Sequence, residues 1–151
     1  MSRFSVADYA EATKPLFALN AFVRASSLES SLVELVLMRV SQLNGCAYCL
    51  DMHSKDARAA GETEQRLYLL QAWREAPFYN ARERAALAWC EAVTRLDPLH
   101  GVPDEVYEQA SAVFNKSELV ALNLTVVLIN SWNRIAIPSH AEPGHYRPAK
   151  H

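Results

Sequence analysis

The residues able to do chemistry cluster near the end of the first third of the chain. The run Asn44-Gly45-Cys46-Ala47-Tyr48-Cys49-Leu50-Asp51-Met52-His53 reads C-x-x-C-x-x-x-H. On a helix advancing about 100° per residue, Cys46, Cys49 and His53 share an arc of roughly 60°. Leu50, Ala57 and Ala60 fall on or near that side, and Asp51, Lys55 and Arg58 fall opposite. The pattern predicts thiols and imidazole on an inward face, with the charges in water. Polar groups on an apolar face are costly unless they are paired or used. Both cysteines lie in the first turn after Asn44-Gly45, where free N–H groups and the positive dipole end favour a thiolate. His53, one turn beyond Cys49, can take the thiol proton or hold the thiolate by a charge-assisted hydrogen bond. Cys46, three residues before Cys49, is near enough to close a small disulfide. A low-pKa thiolate beside a resolving thiol is what hydroperoxide reduction or disulfide exchange requires.

Other chemistries fit less well. A structural zinc needs four ligands, and Cys46, Cys49 and His53 have no obvious fourth. Cys90, in mid-helix within Leu87-Ala88-Trp89-Cys90, reads as a core cysteine. A purely structural buried pair is the plainer alternative for Cys46 and Cys49. A thioredoxin-type centre needs a βαβ context, and no segment alternates as a strand does. Three cysteines are too few for a disulfide scaffold, and a close pair in a reducing compartment is more often catalytic or metal-binding. No haem, flavin or nicotinamide motif occurs, so thiol chemistry with no cofactor and no metal is expected.

These groups must be positioned by helices. Helical periodicity predicts elements over 14–26, 31–43, 46–60, 63–75, 81–96, 103–114 and 118–137. Pro15 reads as an early helix position, Asn44-Gly45 as a stop and Asn80 as an N-cap. The second helix is apolar almost all round, as befits a central one. Short links join the seven, which implies an all-α helical bundle forming a single domain over 14–137. The tail, 138–151, holds three of the seven prolines and three of the five histidines. No helix is expected there; it reads as a frayed end, or else as a strap across a neighbouring subunit.

Composition sets further bounds. Half of the 151 residues are apolar, enough for one good core. The balance of 15 basic against 17 acidic residues leaves no basic footprint for nucleic acid. The N-terminal segment carries Asp8 and Glu11 and has no apolar stretch of the secretory kind. The longest strongly apolar run, Leu119 to Ile129, contains Asn123 and Thr125 and falls short of the roughly 18–20 residues a membrane span needs. A soluble, cytoplasmic protein is expected, with no nucleic-acid or membrane partner. Apolar surface on the second and seventh helices predicts a homo-oligomer.

Glu34, Gln42 to His53, Lys55-Asp56-Ala57-Arg58, Gly61-Glu62 and Leu128-Ile129-Asn130-Ser131-Trp132-Asn133-Arg134 together resemble the alkylhydroperoxidase D-like core of the carboxymuconolactone decarboxylase superfamily. The likeness runs from about Pro15 to Ile137. It implies an all-α, oligomeric antioxidant enzyme that reduces hydroperoxides. By that resemblance Cys49 is the peroxidatic cysteine, Cys46 resolves, and His53 with Glu34 relays protons, usually through water. An external dithiol, on a lipoyl- or thioredoxin-like protein, would then reduce the disulfide. One position departs: the best-studied members carry a second histidine where this chain has Tyr48. A phenol titrating at about 10 cannot replace that base near pH 7.

Periodicity alone reads Glu34, among Leu32, Val33, Leu35, Val36 and Leu37, equally as a wet stripe or as a buried functional carboxylate. Its place twelve residues before Cys46 favours the second. Arg39 and Arg134 are candidate partners for it, and Asn130, Trp132 and Asn133 read as packing residues. Two other functions stay open. One is a carboxymuconolactone decarboxylase-like lyase on the same fold, which needs no cysteine pair. The other is a non-enzymatic redox-sensing module whose disulfide switches partner binding.

Overall fold

The computed structural model describes residues 2–149, apart from the side chains of Val6 and Ala7. Among these, seven α-helices and two short 3-10 helices make up an all-α fold. The one β pairing is an isolated bridge between Asp97 and Gly101.

Helix α2 (Ser30–Asn44) is central. Leu32, Val33, Leu35, Val36, Leu37, Met38 and Val40 are all buried along it, together with Glu34 and Ser41. Each such aliphatic side chain contributes about 1.5–3 kcal/mol when fully buried. This wide apolar face packs against α3 (Ala47–Ala59), α5 (Ala81–Thr94) and α7 (Lys116–Ser139). Gly45 ends α2 in the left-handed region, φ 70°. Only glycine adopts that conformation without a Cβ penalty, and it lets α3 start two residues later. The α2–α3 corner is therefore tight, and the dithiol run sits on it.

The other helices close round this corner. α5 and α7 each begin with a complete capping box, Asn80 with Glu83 and Asn115 with Glu118, which satisfies N–H groups that a helix start leaves free. α1 (Ala10–Arg24) packs on α7, where Phe17 meets Trp132 with ring centroids 5.2 Å apart. α7 is the one described helix long and apolar enough to cross a membrane by length and composition, with a mean hydropathy of 1.3. Here it is a core helix, packed on α1, α2, α3 and α5.

Several boundaries differ from expectation. α1 starts at Ala10, after a 3-10 turn over Val6–Tyr9, and Pro15 lies inside it. The polar residues before Pro15 carry no apolar stripe, so periodicity missed that turn. The fourth helix, α4, spans only Glu64–Leu69, is capped by Thr63 and passes into a 3-10 turn over Leu70–Ala72. α6 covers Asp104–Ser111 and stops short of Phe114. α7 runs through Pro138 to Ser139. A proline in a last turn removes one ladder bond and has little helix left to disrupt.

The tail does not fray, and it straps its own chain. The Gly144 N–H donates to Asp51 Oδ2 at 2.9 Å. Lys55 Nζ donates to the carbonyls of Gly144 and Tyr146 at 3.4 and 3.3 Å. The Tyr146 hydroxyl donates to Asp56 Oδ1 at 2.7 Å. Asp51 and Lys55, expected to face only water, are the anchors of this strap. Lys150 and His151, at the end of the expected tail, lie outside the described residues.

Candidate active site

The site grows out of the way α3 begins. Cys46 is the N-cap, not the first helical residue, and its Sγ accepts the Cys49 backbone N–H at 3.4 Å. A cap of this kind offers the sulfur the donors that a helix start leaves free. The Cys46 and Cys49 sulfurs lie 2.6 Å apart and both are buried. The two thiols hydrogen-bond to each other. The bond with Cys49 lowers the Cys46 thiol to about 7; burial opposes this, and the Cys49 N–H and the Asn133 amide reinforce it. Cys49 moves the other way, because the hydrogen bond with Cys46, burial and the Cys46 charge oppose its ionisation. The pair thus gives up one proton readily and keeps the second.

Asn133, read from the sequence as a packing residue, takes a larger part. It is fully buried on α7, and its amide lowers both thiols. The same amide donates to Ser41 Oγ at 3.2 Å, and its oxygen accepts from Asn44 Nδ2 at 2.8 Å. Asn44 also reaches Asn130 Oδ1 at 3.0 Å, and Asn130 donates to Thr94 Oγ1 at 3.1 Å. This polar seam pins the end of α2 to α7 beneath the sulfurs. Two asparagines three residues apart in an otherwise apolar helix were the available signal.

Glu34 and His53 meet as expected. His53 Nδ1 lies 3.1 Å from Glu34 Oε2, and both side chains are buried. The other carboxylate oxygen takes Arg24 Nη2 at 2.6 Å. The partner is thus on α1 and is neither of the two arginines expected. Arg39 instead pairs with Glu91 Oε1 at 2.7 Å, and Arg134 donates to Asn130 Oδ1 at 2.7 Å. Burial by itself raises the Glu34 carboxyl; the His53 hydrogen bond and charge, with Arg24, outweigh it and hold Glu34 below its ordinary range. Glu34 also lines a cleft of about 350 Å³ against Ala57, Gly61, Arg66 and Phe78.

Asp56, one turn after His53, completes the group. One polar atom each from Glu34, His53 and Asp56 lies within 4.8 Å of the others. Arg24 already holds one Glu34 oxygen and the Tyr146 hydroxyl one Asp56 oxygen. Both carboxylates are thus already engaged by donors from the protein. Tyr48 is half-buried and packs against the core. Cys90 stands apart in α5, wholly buried, its thiol donating to the Leu87 carbonyl at 3.2 Å, and burial pushes that thiol well up.

The class is that of the alkylhydroperoxidase D-like helical folds. A protein of unknown function from Agrobacterium tumefaciens, for which AhpD-type antioxidant defence has been suggested, superposes with a TM-score of 0.90. It is 37% identical, and the match covers 97% of this chain and 100% of that one. A peroxidase-related protein of Ralstonia eutropha with an alkylhydroperoxidase AhpD core shares the fold at a TM-score of 0.80 and 18% identity, over 93% of this chain and 74% of that one. The sequence profile of the carboxymuconolactone decarboxylase family matches residues 8–92. Bacillus subtilis YdfG, an uncharacterised protein, is 46% identical over 127 residues, which span 84% of this chain and 86% of that protein. The chain belongs to the carboxymuconolactone decarboxylase family.

Proposed function

We propose that the protein is a thiol-dependent hydroperoxide reductase. The observation that carries this reading is the sulfur pair, 2.6 Å apart at a helix start, under backbone and Asn133 donors. Cys49 is the attacking thiol and Cys46 the resolving one. The Cys49 proton passes to Cys46, and the Cys49 thiolate attacks the distal peroxide oxygen. The O–O bond breaks, the leaving alkoxide takes a proton from the His53–Glu34 pair through water, and Cys49 becomes a sulfenic acid. The Cys46 thiol then attacks the sulfenic sulfur, the disulfide forms and one water leaves. An external dithiol, on a lipoyl- or thioredoxin-like protein, reduces the disulfide and is itself oxidised. The cleft at Glu34 supports this reading, since it gives the proton relay a way to solvent.

Two further expectations belong to the proposal. Exposed Phe22, Val120 and Val127 support assembly into a homo-oligomer, and a 16.9 kDa species alone in sedimentation at micromolar concentration would remove it. A reducing compartment such as the cytoplasm suits a pair that must be returned to thiols. The deciding experiment is steady-state consumption of several hydroperoxides with several dithiol donors. Many equivalents per chain support a peroxidase. A single equivalent points to a redox sensor, and none points to the lyase chemistry of the family name.

A further inference from the structure

The C-terminal strap carries one side chain into the neighbourhood of the relay. Gly144 and Lys55 fix the strap on α3 through Asp51 and two backbone carbonyls. Tyr146 then turns inward and its hydroxyl donates to Asp56 Oδ1 at 2.7 Å. Burial, then Asp56, push the phenol up to about 12, so it stays a donor throughout the neutral range. Asp56 is the carboxylate that lies with Glu34 and His53 inside a 4.8 Å group. A carboxylate that close to an imidazole favours the imidazolium, and a donor that engages the carboxylate weakens that pull.

We propose that Tyr146 is a positioning residue of the thiol centre: its hydroxyl holds Asp56 and so sets how strongly that carboxylate acts on the His53–Glu34 pair. The inference rests on reading His53 as the relay base. His53 Nδ1 meets Glu34 of α2, which has Arg24 of α1 on its far side; Asp56 of its own helix lies in the same group, and Tyr146 of the strap engages Asp56. α7 contributes the neutral Asn133. Glu62, Arg66 and Glu83 line the cleft beyond Glu34. Of these, only Tyr146 arrives from the tail, so it can be altered without disturbing a helix.

The test is the titration of His53, followed by NMR in the full-length protein labelled with 13C-histidine and assigned with a His53→Asn variant. Tyr146→Phe keeps the ring and deletes the hydroxyl. The freed Asp56 charge should favour the imidazolium, so the His53 resonances of the variant should titrate at higher pH than those of the parent. Asp51→Ala, which releases the strap at its other anchor, should move the midpoint in the same direction. The pH profile of thiol alkylation by iodoacetamide is the second readout and should change in both variants. Unchanged His53 midpoints in both would overturn the proposal. Neither readout requires peroxide. A protein that reduces no hydroperoxide yet shows the shift keeps Tyr146 as a positioning residue and loses the proposed activity.

Discussion

Two buried thiol environments in this chain differ in everything except burial. Cys46 and Cys49 are 1% and 2% exposed, and Cys90 is 0% exposed. Cys90 lies in the middle of α5, where the helix uses its own N–H groups; its thiol has a carbonyl to donate to, and Glu91 beside it repels a thiolate. Cys46 sits on a helix start, with the Cys49 N–H and the Asn133 amide directed at it. Burial alone therefore makes a thiol inert, and donors aimed at the sulfur reverse the sign. Two carboxylates, one half-buried and one buried, repeat the lesson. Glu91 is held by Arg39, Arg74 and the Trp73 indole, none of which exchanges a proton near neutrality. Glu34 has one such partner, Arg24, and one titratable partner, His53.

The largest effect should come from removing the attacking sulfur. Cys49→Ser should lower hydroperoxide turnover by about a thousandfold or more, since a serine hydroxyl is not ionised near pH 7. Cys46→Ser should consume about one equivalent of peroxide and then stall or over-oxidise. Trapping of sulfenic acid on each variant checks the assignment: an adduct at Cys46 in the first and none at Cys49 in the second would reverse the roles.

Glu34→Gln should come next, with turnover slowed about a hundredfold, a loss typical of a weakened proton relay. It also has a pH signature. The folded carboxyl lies below its ordinary 4.5, so its contribution to stability is present above that pH and is lost as pH falls through the folded value. Denaturant melts from pH 6 downward should show that acid-side loss in the parent and a flatter course in Glu34→Gln.

Asn133→Ala tests the donor argument. Without the amide, the midpoint for thiol alkylation should rise from about 7 by about one pH unit, and stability should fall by about 1–3 kcal/mol for the buried partners left unmatched. An unchanged alkylation midpoint would assign Asn133 to packing alone. The smallest effect belongs to Cys90→Ala: a stability loss of about 1 kcal/mol and unaltered peroxide turnover. Peptide mapping after mild oxidation should find Cys46 joined to Cys49 and Cys90 still reduced.

Much of this was legible in the sequence because it is local. The all-α class, the Gly45 stop, the Asn80 cap and the core role of Cys90 follow from spacing and periodicity; the meeting of His53 with Glu34 was implied by the family resemblance. What was missed depends on contacts between distant segments. Arg24 reaches Glu34 across α1 and α2, and no pattern within either helix marks it. Asn133 reaches the sulfurs from the far end of the fold. Cys46 caps α3 instead of joining it, a difference of one residue in helix phase that spacing did not resolve. The tail's prolines argued against a helix, yet α7 runs through Pro138 to Ser139, and they said nothing about Asp51, Lys55 and Asp56 awaiting the segment beyond.

The Cys46 cap ties the redox state of the pair to the local opening of α3. In the reduced protein its sulfur accepts the Cys49 amide, and its carbonyl accepts the Leu50 amide at 3.0 Å. A sulfur in a disulfide carries no charge and is a poor acceptor, so oxidation leaves the first of these amides without its partner. By thermodynamic reciprocity, anything that loosens this turn makes the oxidised form relatively easier to populate, and oxidation loosens the turn. Amide hydrogen exchange at Cys49 should therefore be faster after oxidation, and this one backbone proton would record electron count without any substrate present.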